Sequence, residues 1–416
     1  MRLIPALLLI SIFYSCSENV KKSDLQPISK IEIPIEGLFF NFKYKTVIDK
    51  YSRNDTLFLV FMDGNGRYLS FNTELLKIEN IYNLKQVFIE FGTISSLSHF
   101  NADSVLVLCR DNNWVGIWNR KTMTTRTIAT FPDFVFQIMD SSYEGLKSLG
   151  FQSFPIELPR YVHGKYYIPK ELGFPLDPKS VINPYKSQKP TIKEKLEQKK
   201  LEDEYEKMTS DFSFLKKEAS YFEIDEKKKK ENSTWISPII GMIPESYTGE
   251  KAPRPFLQYR SNLIDENQNL ILSYWCAHEL FILDSLGGVS KTKTVKSKYI
   301  DSFKPIAFNV ADSENKRRSS TEPAYVGLHY DSYRNLYYRI VLHRQEYLQA
   351  GQIKVNKQED RTFSVIVFDS NFNVLRERFF EANKYQATIS FITKEGLFLQ
   401  SLETTDNTLI FEGFEL

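Results

Sequence analysis

The chain has 416 residues, of which 54 are basic and 52 acidic, and its formal net charge is +2 at pH 7. This near-neutral balance argues against a dedicated nucleic-acid surface. After the N-terminus no run of about 20 apolar residues occurs, which excludes a further membrane-spanning helix. Phe and Tyr dominate the aromatic residues, and such residues favour half-buried strands.

Residues 1–15 have the features of a signal peptide. Arg2 precedes an apolar run from Leu3 to Tyr14, which is shorter than the roughly 20 residues of a spanning helix. We therefore expect the chain to be exported and this segment to be removed.

The segment Phe13, Tyr14, Ser15, Cys16 resembles the lipobox of bacterial lipoproteins, although Phe13 stands where leucine is usual. This resemblance implies cleavage before Cys16, a lipid on that cysteine that includes palmitate, and attachment to a membrane. Residues 16–30 predict a flexible tether. Ser17 is compatible with the outer membrane, with the body facing either the periplasm or the outside. An ordinary signal peptide with a chance cysteine is the alternative.

A paired strand motif recurs along residues 31–416, which we expect to form the folded body. Each copy has a strand-like run, a polar turn, and a second run that ends in an apolar residue followed by Asn or Asp. The copies span 57–61 with 68–72, 105–108 with 115–119, and 270–274 with 280–284, and 365–369 repeats the second half alone. Copies about 40 to 50 residues apart match a four-stranded propeller blade. The sequence thus predicts an all-β fold, a β-propeller of six or seven blades, with a β-sandwich as the alternative.

Residues 185–232 are dense in Lys and Glu and predict a charged helical insertion. Thr191 and Glu194 form a capping-box pattern, which predicts a helix from about Ile192 to Met208. The run Lys227–Lys230 is expected to be solvated. The insertion is either a mobile segment or a surface for a partner or anionic lipid.

Two cysteines remain in the body, Cys109 and Cys276, both within apolar runs. We expect two buried thiols, with a disulfide between them as the alternative.

Residues 325–341 read Tyr-Val-Gly-Leu-His-Tyr-Asp-Ser-Tyr-Arg-Asn-Leu-Tyr-Tyr-Arg-Ile-Val. This segment resembles a signature of the domain-of-unknown-function 4221 family of uncharacterised Bacteroidota lipoproteins, and residues 270–284 are similar to the same family. The resemblance implies a propeller and an exported lipoprotein. It implies no activity and no catalytic residues.

The same segment reads as one hairpin with a turn at residues 332–335. Strand alternation places His329 and Asp331 on one face, and if the polar faces of the two strands meet, Arg339 converges with them on a cleft. His–Asp pairs serve as bases or metal ligands, and arginine recognises carboxylates. The candidate ligand-binding residues are His329, Asp331, Arg334, Tyr338 and Arg339. The alternative is that Asp331 opens the turn and His329 faces a tyrosine across the strands.

No catalytic residue, metal ligand or cofactor site is assigned, because the other histidines stand alone and the sequence contains no nucleotide or nucleophile motif. The favoured hypothesis is a non-enzymatic, membrane-tethered binding or scaffold lipoprotein for a peptide, a glycan or an envelope protein. The alternative is a hydrolase or lyase that acts on a polysaccharide or a small ester.

Overall fold

The computed structural model describes residues 26–35, 49–53, 56–62, 67–92, 94–101, 103–109, 114–130, 158–169, 199, 219–230, 233–240, 243–247, 251–252, 260–284, 289–304, 306–307, 312–348, 360–405 and 407–416. The predicted signal peptide and Cys16 lie outside these residues, as does the predicted helix from Ile192 to Met208 except for Lys199.

Six four-stranded antiparallel sheets form the blades, numbered here in chain order. Blade 1 contains β2 (Asp49–Arg53), β3 (Thr56–Met62), β4 (Arg67–Asn72) and β5 (Lys77–Asn83). Blade 2 contains β6 (Ile94–Asn101), β7 (Ser104–Cys109), β8 (Trp114–Asn119) and β9 (Thr124–Thr130). Blade 3 contains β10 (Arg160–Val162), β11 (Lys165–Pro169), β12 (Ala219–Lys230) and β13 (Ser233–Ile240).

Blade 4 contains β15 (Arg260–Ile264), β16 (Leu270–Tyr274), β17 (Glu279–Leu283) and β18 (Val289–Thr294). Blade 5 contains β20 (Ala324–Asp331), β21 (Leu336–Leu342), β22 (Phe363–Phe368) and β23 (Val374–Phe380). Blade 6 contains β24 (Tyr385–Thr393), β25 (Gly396–Ser401), β26 (Thr408–Phe414) and, from the other end of the chain, β1 (Ser29–Pro34). A small sheet joins β14 (Lys251–Ala252) to β19 (Ile306–Ala307), and two short helices are α1 (Lys85–Phe91) and α2 (Asp312–Thr321).

The predicted all-β propeller is confirmed, with six blades rather than a sandwich. The first strands of successive blades contact one another, as β15 does β20 and β20 does β24, so these strands line the centre. Within the described residues, no helix is both long and apolar enough to cross a membrane.

The predicted charged helical insertion is not supported. Its last part is β12, which carries the run Lys227–Lys230 as strand. Tyr221 and Ile224 are fully buried in this strand, and the Glu223 carboxylate pairs with Lys165 at 3.0 Å. The charge density of the segment indicated a solvated helix, because the partner of Glu223 lies on another strand and is invisible in the local sequence.

The recurring Asn or Asp after each apolar run has a structural cause. Asn72 Oδ1 accepts hydrogen bonds from the backbone N–H groups of Glu74 and Leu75, both at 2.9 Å. Asn119 Oδ1 and Asp369 Oδ1 accept equivalent bonds in blades 2 and 5. Each side chain therefore closes the turn between the third and fourth strands of its blade.

The connections divide the propeller into two different faces. Turns between first and second strands, and between third and fourth strands, have two to five residues and form what we call the short-turn face. Antiparallel order places the remaining connections at the opposite ends of the strands. Every connection longer than five residues belongs to this second group, and we call that side the long-loop face.

The N-terminal strand closes the ring from the short-turn face. β1 runs antiparallel to β26, with Ser29 opposite Gly413 and Pro34 opposite Thr408, so the chain enters the fold where β26 ends. β1 overlaps the last two residues of the predicted tether, 29 and 30. Its buried Ile31 and Ile33 pack in one cluster with residues of β25, β26 and blade 1.

The cysteine prediction is confirmed, since Cys109 and Cys276 are both buried thiols that form no disulfide. Cys109 packs among apolar side chains of blades 1 and 2.

Candidate functional site

His329 connects the inner strands of blades 5 and 6. Its backbone lies opposite Tyr338 in the β20–β21 pairing. Its Nε2 atom is 2.7 Å from Ser390 Oγ on β24. The imidazole therefore links the two blades.

Asp331 is fully buried and organises the turn after β20. Its Oδ1 atom accepts hydrogen bonds from the backbone N–H groups of Tyr333 and Arg334 at 3.0 and 3.2 Å. Its Oδ2 atom accepts hydrogen bonds from Arg334 Nη1 and the Tyr338 hydroxyl, both at 3.0 Å. Burial and the Asp331 charge raise the pKa of Tyr338. Three of the predicted residues, Asp331, Arg334 and Tyr338, thus form the turn and its supports, and Arg334 also donates to the Lys394 carbonyl of blade 6 at 2.7 Å.

Arg339 lies on the opposite face of the hairpin, because it pairs with Leu328. Its Nη1 atom donates to the His278 and Val295 carbonyls at 2.9 and 2.7 Å, and its Nη2 atom donates to the Ala277 carbonyl at 2.7 Å. Its guanidinium carbon is 3.5 Å from the Tyr325 ring centroid. Burial lowers the pKa of Arg339 to about 10, which still leaves it charged at neutral pH.

The predicted convergence of His329, Asp331 and Arg339 does not occur. The register places the first two toward blade 6 and Arg339 toward blade 4, because strand neighbours alternate between faces. The alternative interpretation, in which Asp331 opens the turn and His329 faces a tyrosine, matches the geometry. The base-and-orienter arrangement considered for a hydrolase is therefore absent from this described hairpin.

A different charged cluster, which the sequence did not predict, lies on the long-loop face of blade 5. Arg344 Nη1 donates to Glu322 Oε1 at 2.8 Å, and Arg361 Nη1 donates to the Glu322 backbone carbonyl at 2.8 Å. Glu322 Oε2 has no hydrogen-bond partner within the described part of the chain. Burial lowers the pKa of Arg361 to about 9, whereas the Arg344 side chain is 40% exposed.

This cluster forms because the connection after β21 folds back over the end of α2. The Gln345 backbone N–H donates to the Thr321 carbonyl at 3.0 Å, and the Gln345 Nε2 atom donates to the Ser320 carbonyl at 2.7 Å. Glu322 follows α2, whereas Arg344 and Arg361 lie on the connection between β21 and β22. No local sequence pattern therefore predicts that these residues come together. Together they present the accessible Arg344 guanidinium, which can bind acceptor groups of a ligand, beside a carboxylate whose Oε2 atom is buried.

His343, Ser364 and Glu377 form a hydrogen-bonded chain near this cluster. His343 Nε2 is 2.9 Å from Ser364 Oγ, which donates to Glu377 Oε1 at 2.6 Å. In a catalytic triad the histidine stands between the hydroxyl and the carboxylate, whereas here the buried serine stands between the other two. Burial lowers the pKa of His343 to about 4, so the imidazole is neutral at pH 7 and its contact with Ser364 is a structural link.

His278 is a second neutral histidine. Its Nδ1 atom is 2.7 Å from the Tyr325 hydroxyl, and the hydroxyl also accepts a bond from the Ser297 backbone N–H at 3.1 Å. Burial, followed by the charge of Arg339, lowers the pKa of His278 to about 4. Within the described ranges, no group of three or more His, Cys, Asp or Glu residues is arranged to hold a metal ion.

Residues 187–378 match the family described as Domain of unknown function (DUF4221), which confirms the resemblance seen in the sequence. No curated protein shows detectable sequence similarity to the chain.

A crystal structure of a DUF4221 family member from Bacteroides vulgatus has 16% sequence identity and a TM-score of 0.64, with 94% of this chain and 98% of that chain covered. At this identity the likeness establishes the fold alone. A candidate exported protein from Bacteroides fragilis has 10% identity and a TM-score of 0.47, with coverages of 95% and 97%. Virginiamycin B lyase from Staphylococcus aureus has 9% identity and a TM-score of 0.40, with coverages of 93% and 99%. These two weaker likenesses carry no weight for function.

Proposed function

Starting from a six-bladed propeller with a DUF4221 match, we propose that the chain is an exported lipoprotein tethered through Cys16 to a cell-envelope membrane, the outer membrane in particular. It binds a peptide, a glycan or an envelope protein on its long-loop face without catalysing a reaction. The observation that carries this proposal is the separation of the two faces. The tether joins at Ser29 on the short-turn face, whereas the Glu322–Arg344 cluster lies on the other.

The surroundings of the cluster suit recognition. Leu348, on the same connection as Arg344, is 47% exposed, and Tyr299, on the connection that follows blade 4, is 38% exposed. Exposed apolar and aromatic side chains beside an arginine are common in binding surfaces. The Arg344 fork can donate to peptide carbonyls, sugar hydroxyls or carboxylates.

The binding part of the proposal is tested by affinity capture from the native envelope. We expect Arg344→Ala with Leu348→Ser to lose most of the captured partner, because the double variant removes the exposed guanidinium and an exposed apolar side chain of the same connection. The matched control is Lys77→Ala with Leu75→Ser on the short-turn face, where both side chains are exposed, and it should retain the partner. Equal capture by both double variants, or no specific partner with the unchanged protein, would contradict the binding function.

The tether is tested by the intact mass of the protein from its native host. We expect a chain that begins at Cys16 and carries a diacylglycerol and a palmitoyl group. A chain cleaved at Cys16 without added lipid mass would rule out the lipoprotein, and Cys16→Ser should abolish the added lipid mass.

A further inference from the structure

Apolar side chains project from the short-turn face at equivalent turns of blades 1 and 2. Leu75 and Leu76 lie between β4 and β5 and are 58% and 50% exposed. Met123 lies between β8 and β9 and is 48% exposed. None of the three is needed to fill the core.

Two of these residues also occupy a costly backbone conformation. The φ angle is 50° at Leu76 and 58° at Met123, a region in which Gly or Asn is much easier to accommodate. Asn335 occupies such a position in the turn after β20, with a φ of 54°. Leu76 and Met123 therefore combine this backbone conformation with exposed apolar side chains, whereas Phe372, with a φ of 68° in the equivalent turn of blade 5, packs against the core.

Lysines lie on the same side of the molecule. Lys121 is exposed in the turn that carries Met123, and Lys227 and Lys228 are exposed near the end of β12 in neighbouring blade 3. Of the neighbouring acidic residues, Glu226 pairs with Arg126, and the buried Asp225 pairs with Lys228 at 3.8 Å. Glu74, an exposed acid in the turn of blade 1, accepts a hydrogen bond from Thr56.

The N-terminal segment reaches this side of the propeller. Ser29 starts β1 at the short-turn end of blade 6, next to blade 1, and the preceding Ile28 is 57% exposed. A chain extends at most about 3.6 Å per residue, so the segment from Cys16 to Ser29 spans no more than roughly 50 Å. A lipid on Cys16 therefore keeps the short-turn face within reach of the bilayer.

We propose that Leu75, Leu76, Lys121, Met123 and Lys227 form a membrane-facing sector that rests on a bilayer surface with anionic headgroups. The apolar tips enter the interface and the ammonium groups attract the headgroups. This inference rests on the proposed function in that the tether holds the chain at a membrane. The sector orients the long-loop face away from the bilayer, toward a partner.

The test uses the mature chain with Cys16→Ser, so its outcome does not depend on lipidation. The measurement is flotation with vesicles of phosphatidylcholine and phosphatidylglycerol, compared with vesicles of phosphatidylcholine alone. We expect binding to the anionic vesicles that weakens as salt is added. Since each lysine near an anionic surface contributes substantially to binding, Lys121→Glu with Lys227→Glu should weaken it at least about tenfold.

Matched controls lie on the long-loop face. Lys298→Glu with Lys304→Glu changes the same charge at two exposed positions and should leave vesicle binding unchanged. Leu76→Ser with Met123→Ser should reduce binding, whereas Ile89→Ser, also at an exposed position, should not. Far-ultraviolet circular dichroism checks that each variant is folded.

The inference is overturned by absence of binding to anionic vesicles, or by equal losses in the variants of the two faces. A negative result in this test would not affect the proposal that Cys16 carries a lipid, because the intact mass of the protein tests that proposal independently.

Discussion

Arg339 is a buried positive charge that stabilises the interior of the propeller through hydrogen bonds. Its bonds to the His278, Val295 and Ala277 carbonyls satisfy backbone acceptors that β-pairing leaves open at the long-loop end of blade 4. Stacking on Tyr325 places an aromatic face against the charge. Buried charge is tolerated here because nearly the whole guanidinium is hydrogen bonded.

Replacing Arg339 with methionine should strongly destabilise the propeller. The substitution leaves several buried carbonyls without donors, and breaking such a network costs about 3 to 5 kcal/mol. Chemical denaturation measures the loss. Arg378→Met, at an exposed position of the same blade, serves as the control and should change stability by less than about 0.5 kcal/mol.

His343 makes stability depend on pH in a definite direction. Its folded-state pKa of about 4 lies below its ordinary value of about 6.5, so the unfolded chain binds the proton more readily. The stabilisation is complete above pH 6.5 and is lost as pH falls toward 4.

We therefore expect His343→Gln to reduce the pH dependence of the free energy of unfolding between pH 6.5 and 4, while the contribution of His278 in the same range remains. The full effect is up to about 3 kcal/mol for one buried histidine, measured as urea midpoints across this range. A variant with the same slope as the unchanged protein would show that His343 is not the titrating group.

At the scale of single elements, the positions of the hairpins could be predicted from the sequence. Which side chains of the two strands share a face could not. Runs 57–61, 105–108 and 270–274 became strands because alternating or continuous apolar patterns and Asn or Asp turn residues act locally. The assignment of Arg339 to the face of His329 failed, because it depends on a cross-strand register that the sequence does not display. The cluster of Glu322, Arg344 and Arg361 was not predicted for a related reason, since these residues are distant in sequence and come together only in the folded protein.

The turn positions offer a reciprocal test. Met123→Asn should stabilise the protein by about 0.5 to 1 kcal/mol, because asparagine tolerates the left-handed conformation better. Asn335→Met should destabilise it by a similar amount for the same reason. Thermal unfolding of both variants measures the effect, and a loss of stability in Met123→Asn would show that the Met123 side chain contributes to folding after all.

For the whole molecule, closure of the ring depends on joining the two ends of the chain. Ile33 is 1% exposed and packs with Leu409 and Phe411 in one cluster. The sequence predicted six or seven blades but not which. The sixth blade is completed by β1, which pairs with β26 at the other end of the chain, and a local sequence pattern does not reveal such a pairing.

Ile33→Asp should destabilise the protein by about 3 kcal/mol or more, because an unpaired carboxylate enters the cluster that closes the ring. Glu32→Ser changes the neighbouring exposed residue, whose pairing with Lys30 is a surface ion pair, and should cost less than about 1 kcal/mol. Equal effects in denaturant unfolding would mean that β1 is not essential to closure.

The central claim is that the short-turn face of the propeller contacts the membrane, whereas the long-loop face points away from it and is free to bind a partner. Lysine acetylation of the lipidated protein, in vesicles and in detergent, tests it most directly when modification is read by mass spectrometry. We expect Lys121 and Lys227 to be protected in vesicles while Lys298 and Lys304 react equally in both states. Protection of Lys298 and Lys304 instead, or no difference at any of the four lysines, would contradict the account.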